Sequence, residues 1–314
     1  MTISHWADHL ERAAYEAAYR FALELWPIPY ASYGIATPHG WTHVVDSGAD
    51  HGDPVVLIHA ASLSATQWYP QAAALGGHRR LYAIDIMGDI GLSAQARPIR
   101  TRADAAAWLV ELLDGLGIDR ATFVGSSFGG FHATNLAVLR PDRVRGLILL
   151  APAATVRPFK RLASIAIRTG SLLPLPVTVK PGLRGMMQGA LPDRRIVRQM
   201  ELGVRGFRYD RAGIFPSELP DEELVRLDCP TLLLLGDREM IYDPAEAAER
   251  ARRLIPRIEA EIVTGVGHLL GMQRPDLVNP RIVRFLDERL ATSPARTAIL
   301  AGSGAAVAVL EAAR

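Results

Sequence analysis

The hydrophobic positions change period along the chain. Trp6, Leu10, Ala13, Ala17, Phe21 and Leu25 recur at intervals of three and four, the spacing of one face of a helix. Trp26-Pro27-Ile28-Pro29 stops that helix. A short extended piece at 42–45 follows, ending in Gly48 and a polar loop. From Pro54 onward, short aliphatic and β-branched runs alternate with longer helical patterns. The strand-like runs fall at 55–58, 81–84, 121–124, 145–150, 231–235 and 259–263. Helical spacing falls at 67–75, 103–116, 128–139, 245–254 and 275–290. Continuous apolar strands separated by helices predict a doubly wound, mostly parallel α/β sheet buried on both faces.

One stretch breaks the alternation. Residues 152–228 stand where a single helix would join two strands, and they are rich in Pro, Gly and Arg with short helical patterns at 159–168 and 194–204. The expected organisation is therefore an N-terminal helix at 1–30, a core at 31–151 and 229–291, an inserted helical cap at 152–228, and an Ala-rich tail at 292–314. A cap there lies over the carboxyl ends of the strands, where open α/β sheets bind ligands.

Composition narrows the classes. The 314 residues are 49% hydrophobic and 22% charged, with 35 Lys and Arg against 33 Asp and Glu, too balanced for a nucleic-acid binder. The charge is uneven, however: residues 157–211 hold 12 basic and 3 acidic side chains, so the rest of the chain is net negative. A solvated basic face is the plainer account of that excess, and a site for anionic substrates the sharper one. A single cysteine, Cys229, excludes a disulfide framework and a thiolate zinc cluster. The first eighteen residues lack the basic and apolar regions of a signal peptide, and the apolar run at 305–310 is far short of the roughly 20 residues that span a bilayer. The expectation is a reduced, cytoplasmic protein without stable membrane insertion, metal or cofactor.

The strongest chemical signal is Gly125-Ser126-Ser127-Phe128-Gly129-Gly130, between an apolar strand and a helix. G-x-S-x-G should occur by chance about 0.1 times in a chain of this Ser and Gly content, and the strand–turn–helix context strengthens it further. A strained turn of this kind has no room for side chains two residues before and after its centre. Centring on Ser127 puts Gly125 and Gly129 there, whereas centring on Ser126 would put Val124 and Phe128 there. Ser127 is the candidate nucleophile. A serine hydroxyl needs a base, and the base an orienting acid. Only His132 and His268 follow Ser127; His132 lies on the elbow helix, and His268 follows the last strand, where the base belongs. The loop after 231–235 offers Asp237, Glu239 and Asp243, of which Asp243 precedes Pro244 as a helix cap. Backbone N–H donors for an oxyanion are expected from Phe128 and from Ala61 in the loop His59-Ala60-Ala61-Ser62. Trp68, Phe128, Phe159 and Met186 are candidate walls of an acyl pocket, and core packing accounts for each of them at least as well.

These stretches resemble the α/β-hydrolases, and among them the bacterial carboxylesterase NP (naproxen esterase-like) group. The resemblance rests on Gly40-Trp41-Thr42-His43-Val44, Thr66-Gln67-Trp68-Tyr69-Pro70, Tyr82-Ala83-Ile84-Asp85-Ile86-Met87-Gly88-Asp89, the elbow, 147–152, and 233–244. It covers residues 30 to 290 and is weakest in the insertion. The family's spacing places the acid three residues after Gly236, on Glu239, with Pro244 five further on; Asp237 is the alternative. The resemblance implies a cofactor-independent esterase acting on small carboxylic esters, often of bulky aryl-propionate type. The same scaffold also supports thioester or C–C cleavage, lyase or cyclase chemistry, and binding without catalysis. The sequence departs from the family at Ala60, where many relatives have Gly.

Overall fold

The computed structural model describes residues 2–172 and 175–290; the expected Ala-rich tail at 292–314 lies outside them. Eight principal strands are β1 (Tyr30–Thr37), β2 (Gly40–Gly48), β3 (Val55–Ile58), β4 (Arg80–Ile84), β5 (Ala121–Ser126), β6 (Val144–Leu150), β7 (Thr231–Gly236) and β8 (Ile258–Val263). They form one sheet in the order β8-β7-β6-β5-β3-β4-β2-β1, with the two-residue strand Ala94–Gln95 added against β2. Strands β3 to β8 run parallel. The pairings of β2 with β4 and of β1 with β2 are antiparallel. Every residue of β3, β5 and β7 is buried, as continuous apolar runs require of central parallel strands.

The sequence pattern missed β1 and shortened β2. Strand β1 is an edge strand whose side chains are mostly exposed, so Tyr30-Ala31-Ser32-Tyr33-Gly34-Ile35-Ala36-Thr37 carries little hydrophobic signal. It joins β2 through a two-residue hairpin at Pro38–His39. Gly40 closes that hairpin at φ 136°, and a Cβ there would stand 2.1 Å from the Ala94 carbonyl oxygen.

The crossover helices lie close to their expected places. Helix α1 spans His9–Leu23, α2 Tyr69–Gly76, α3 Arg102–Gly115 and α4 Phe128–Leu139. Thr101 and Asp104 close a capping box that starts α3. Between β6 and β7 the chain forms α5 (Arg161–Leu172), α6 (Val179–Met186), α7 (Arg194–Gly206) and α8 (Asp221–Leu224). Helices α9 (Pro244–Leu254), α10 (Leu270–Gln273) and α11 (Pro275–Arg289) follow. Among the described residues no helix is long and apolar enough to cross a membrane.

The N-terminal segment corrects the sequence reading. Its helix starts at His9, after the Asp8 carboxylate caps the Leu10 and Glu11 amides. The buried face is Tyr15, Ala18, Tyr19, Ala22 and Leu23, while Leu10, Ala13, Ala17 and Phe21 are exposed. Alanines fit either face, so the register was set by too few large residues. The two tyrosines decide it through their polar ends. Gln199 of α7 donates to the Tyr15 hydroxyl at 3.1 Å, and the Tyr19 hydroxyl reaches Asp85 and His43 at 3.2 Å each. Trp6 is not helical: His5–Trp6 pairs antiparallel with Phe207–Arg208 beyond α7. The N-terminal segment is thus packed on the inserted segment. The insertion's basic excess is partly answered from outside it, by Arg157 with Glu246, Arg195 with Glu24 and Arg205 with Glu11.

Candidate active site

Strand β5 ends at Ser126 and α4 begins at Phe128, so Ser127 alone makes the turn, at φ 50° and ψ −112°. A side chain rarely adopts such a backbone, and the surroundings hold it there. Its amide donates to the Leu150 carbonyl at 2.9 Å, and its own carbonyl accepts from Ala153 at 2.9 Å and Phe131 at 3.1 Å. A Cβ on Gly129 would lie 2.0 Å from the Ile58 carbonyl oxygen, and one on Gly125 would lie 2.5 Å from the backbone of Gly129 and Gly130. Both glycines are required by backbone contact on the far side of the turn.

The loops after β7 and β8 meet this turn. His268 Nε2 lies 2.7 Å from Ser127 Oγ, and His268 Nδ1 lies 2.6 Å from Glu239 Oε2. A carboxylate oxygen can only accept, so the proton sits on Nδ1 and the Nε2 lone pair faces the serine hydroxyl. Ser127, Glu239 and His268 are all buried, at 8, 5 and 2% exposure. Burial pushes the Glu239 carboxyl up, but the His268 charge and hydrogen bond, with the Ile241 and Met240 amides, outweigh it and hold the group below the usual carboxylate range.

The competing carboxylates are occupied elsewhere. Asp237 accepts the Gly265 amide at 2.7 Å and the Val266 amide at 3.2 Å, tying the loop after β7 to the loop that carries His268. Asp243 caps α9 through Ala245 and Glu246, at 2.9 and 3.0 Å. His132 is packed: both its ring nitrogens are buried and have no partner among the described residues, beside Phe128, Phe131 and Trp108. Burial, assisted by His59, lowers its pKa to about 3.

The loop after β3 presents a single amide between two that are used. Ala60 N–H donates to Gln67 Oε1 at 2.8 Å, and Ser62 N–H to Asp89 Oδ2 at 3.0 Å. The amide between them belongs to Ala61. His59 fixes the base of the loop: its Nε2 accepts from Ile86 N–H, so its Nδ1–H donates to the Ala60 carbonyl, each at 2.8 Å. Tyr209 reaches in from the insertion, donating to Asp89 at 2.8 Å and lying 3.0 Å from Ser62 Oγ. Gln67 and Asp89 stand in stretches that carry the resemblance but were given no role from the sequence, and Tyr209 was not named, because a polar side chain that braces a loop has no periodic signature.

The candidate wall residues separate. Trp68 exposes no surface and its Nε1 has no partner among the described residues, so it is a core side chain in this conformation. Phe128 is partly buried and stacks with Phe131. Phe159 is partly buried, edge-on to Phe215. Met186 is partly buried at the end of α6, and its carbonyl oxygen would stand 2.3 Å from a Cβ on Gly267. Met186 therefore borders the His268 loop. Among the described residues no group of three or more His, Cys, Asp or Glu side chains could hold a metal.

Residues 55–281 match the alpha/beta hydrolase family. The uncharacterized carboxylesterase nap of Bacillus subtilis is 37% identical over 89% of this chain and 94% of its own length. The carboxylesterase YbfK of the same organism is 34% identical over 89% of this chain and 97% of its own. The crystal structure of naproxen esterase (carboxylesterase NP) from Bacillus subtilis superposes with a TM-score of 0.82 at 38% identity, covering 88% of this chain and 98% of that one. The chain therefore belongs to the alpha/beta hydrolase family, within the carboxylesterase group that includes naproxen esterase.

Proposed function

We propose that the chain hydrolyses small carboxylic esters through an acyl-Ser127 intermediate, with Ser127, His268 and Glu239 as a catalytic triad. The observation that carries this reading is the Ser127–His268–Glu239 line, with both hydrogen bonds below 2.8 Å and the tautomer set by the carboxylate. Ser127 Oγ attacks the ester carbonyl carbon as His268 Nε2 takes its proton. The tetrahedral oxygen is met by the Phe128 and Ala61 amides. His268 then returns the proton to the leaving alcohol and, in the second half, draws a proton from the water that releases the acid. Glu239 holds the imidazole and offsets its charge while it is protonated.

The segment 152–228 serves in this reading as a cap over the carboxyl ends of the strands, with Phe159 and Met186 toward the acyl group. The similarity to naproxen esterase favours esters of aryl-propionic acids. The test is release of p-nitrophenol from short-chain and aryl-propionyl esters by wild type and Ser127→Ala in parallel. Turnover should fall by at least about a thousandfold in the mutant, whose fold is unchanged by circular dichroism. Turnover near wild type in that mutant overturns the reading.

A further inference from the structure

Four strands from Ser127 across the sheet, roughly 19 Å of ladder, a second serine is paired to a histidine backed by an aspartate. Ser32 Oγ on edge strand β1 lies 2.8 Å from His43 Nε2 on β2, and His43 Nδ1 lies 3.1 Å from Asp85 Oδ2 just beyond β4. Asp85 is completely buried, His43 is nearly so, and Ser32 faces solvent. Around them is a cleft of about 530 Å³ whose lining includes Arg12, Ser32, Tyr33, Trp41, His43 and Leu92.

From this geometry we infer that Ser32 is a second nucleophilic serine, able to take a phosphoryl or acyl group from an activated ester that enters this cleft. The tautomer argument is the one made for His268, from different contacts. The Asp85 carboxylate accepts the Ala65 and Leu92 amides, each at 2.7 Å, and the Tyr19 hydroxyl, so it is ionised and offers only lone pairs to His43. Burial pushes this carboxyl up, yet the charge and hydrogen bond of His43, then His59 and the Ala65 amide, hold it below the usual range. A lone pair on Nδ1 would face that carboxylate at 3.1 Å, so Nδ1 carries the proton and Nε2 accepts from Ser32. The hydroxyl thus faces the Nε2 lone pair of His43, and the charge that forms when the ring takes its proton lies beside a buried anion.

What Ser32 lacks sets the kind of reactivity. It sits in a regular ladder opposite Val45, with no strained elbow and no helix beginning at the next residue. The cation of its cleft lining is Arg12, itself bonded to Glu16 at 2.8 Å. Without the paired amides that Ser127 has, capture of a reactive ester is expected to be slow and release slower still, giving one adduct per chain. With a fluorophosphonate the P–O bond to Oγ forms, the P–F bond breaks, and the serine proton leaves through His43 Nε2 to solvent while fluoride departs. With an activated aryl ester the bond from the acyl carbon to Oγ forms and its bond to the aryl oxygen breaks, and the serine proton passes through His43 Nε2 to the departing phenol.

This inference does not depend on the role of Ser127, because it is tested on a chain without that hydroxyl. The Ser127→Ala protein is treated with an alkyl fluorophosphonate and followed by intact mass and peptide mapping. The expected result is a single phosphonyl adduct on Ser32, reduced at least about tenfold in Ser127→Ala/Ser32→Ala. Because Ser32 is exposed on an edge strand, that double variant should fold, which circular dichroism checks. Absence of an adduct on Ser127→Ala, or an adduct that persists at the same rate without Ser32, overturns the inference.

Discussion

The sharpest perturbation of the proposed site is Glu239→Gln, because the two oxygens of Glu239 serve different partners. Oε1 accepts the Ile241 amide at 2.9 Å, and Oε2 accepts Nδ1–H of His268 at 2.6 Å. Glutamine has one oxygen, and the Ile241 N–H can be met only by an oxygen. Its NH2 is then turned toward His268 and must donate to Nδ1. The imidazole is forced to carry its proton on Nε2, facing Ser127 Oγ, and it is no longer a base for that hydroxyl. Loss of the right tautomer costs about 10⁴ in kcat in a serine protease triad, or roughly 5.5 kcal/mol. An escape exists: the amide can flip, giving its oxygen to His268 and setting NH2 against the Ile241 N–H. That leaves two buried donors unpaired, at about 1–3 kcal/mol each, which keeps a minor population competent. The expected loss in kcat is therefore between about 30-fold and 10⁴-fold. Asp237→Asn, which disturbs only the Gly265 and Val266 amides, should change kcat by less than about threefold. The assay is steady-state release of p-nitrophenol by both variants, with thermal melts to confirm folding. If Glu239→Gln keeps more than about a tenth of wild-type kcat, or Asp237→Asn falls as far, the assignment of the acid is wrong.

Three further outcomes follow from the packing. Gly129→Ala places a Cβ against two backbone carbonyls rather than a flexible side chain, so it should cost at least about 3 kcal/mol in urea titration or fail to fold; a variant within about 1 kcal/mol of wild type would show that the elbow can shift. His132 is held neutral, with a folded pKa near 3 against an ordinary 6.5, so its burial contributes fully above pH 6.5 and is lost as pH falls toward 3. Relative to His132→Phe, wild type should lose about 2 kcal/mol between pH 7 and pH 5, and urea midpoints that move in parallel would contradict this. Trp68→Phe should leave KM for aryl esters within about twofold, since Trp68 shows no surface to a ligand; a larger change would return it to the acyl pocket.

The residues of the site were legible in the sequence to the extent that covalent geometry dictates them. Gly125 and Gly129 are forced by backbone contacts, and that need singled out Ser127 over Ser126 before any contact was visible. The central strands were legible because they are buried on both faces and carry nothing but apolar residues. Glu239 was legible only through the spacing of a known family, since Asp237 and Asp243 stand in the same loop and local chemistry does not rank them. Strand β1 was not legible, because an exposed edge strand of small and polar residues satisfies its backbone without an apolar face. The face of α1 was misread because hydroxyl-bearing tyrosines, not the larger apolar positions, determine which side is buried. Gln67, Asp89 and Tyr209 act on a loop from outside it, and no local pattern announces that.

The attachment of the N-terminal segment to the insertion bears on how a substrate gains entry. Helix α7 is fastened by a short two-stranded bridge, by the Tyr15 hydroxyl, and by Tyr209 against Asp89, so the later part of the insertion is anchored on two sides. Its earlier part meets the loops of the site through Lys160 N–H to the Ile241 carbonyl at 2.7 Å, Leu269 N–H to the Met186 carbonyl at 3.4 Å and Gln188 Nε2 to the Arg238 carbonyl at 3.2 Å, and it is tied to α9 by Arg157 against Glu246. A ligand entering beneath the insertion would meet α7 braced by the first two dozen residues of the chain, and the end of α6 held to the loops that carry Glu239 and His268. Trimming those first residues would remove the buried Tyr15 and Tyr19 with their bonds to Gln199 and Asp85, so its cost falls on α7 and on the Asp85 loop together.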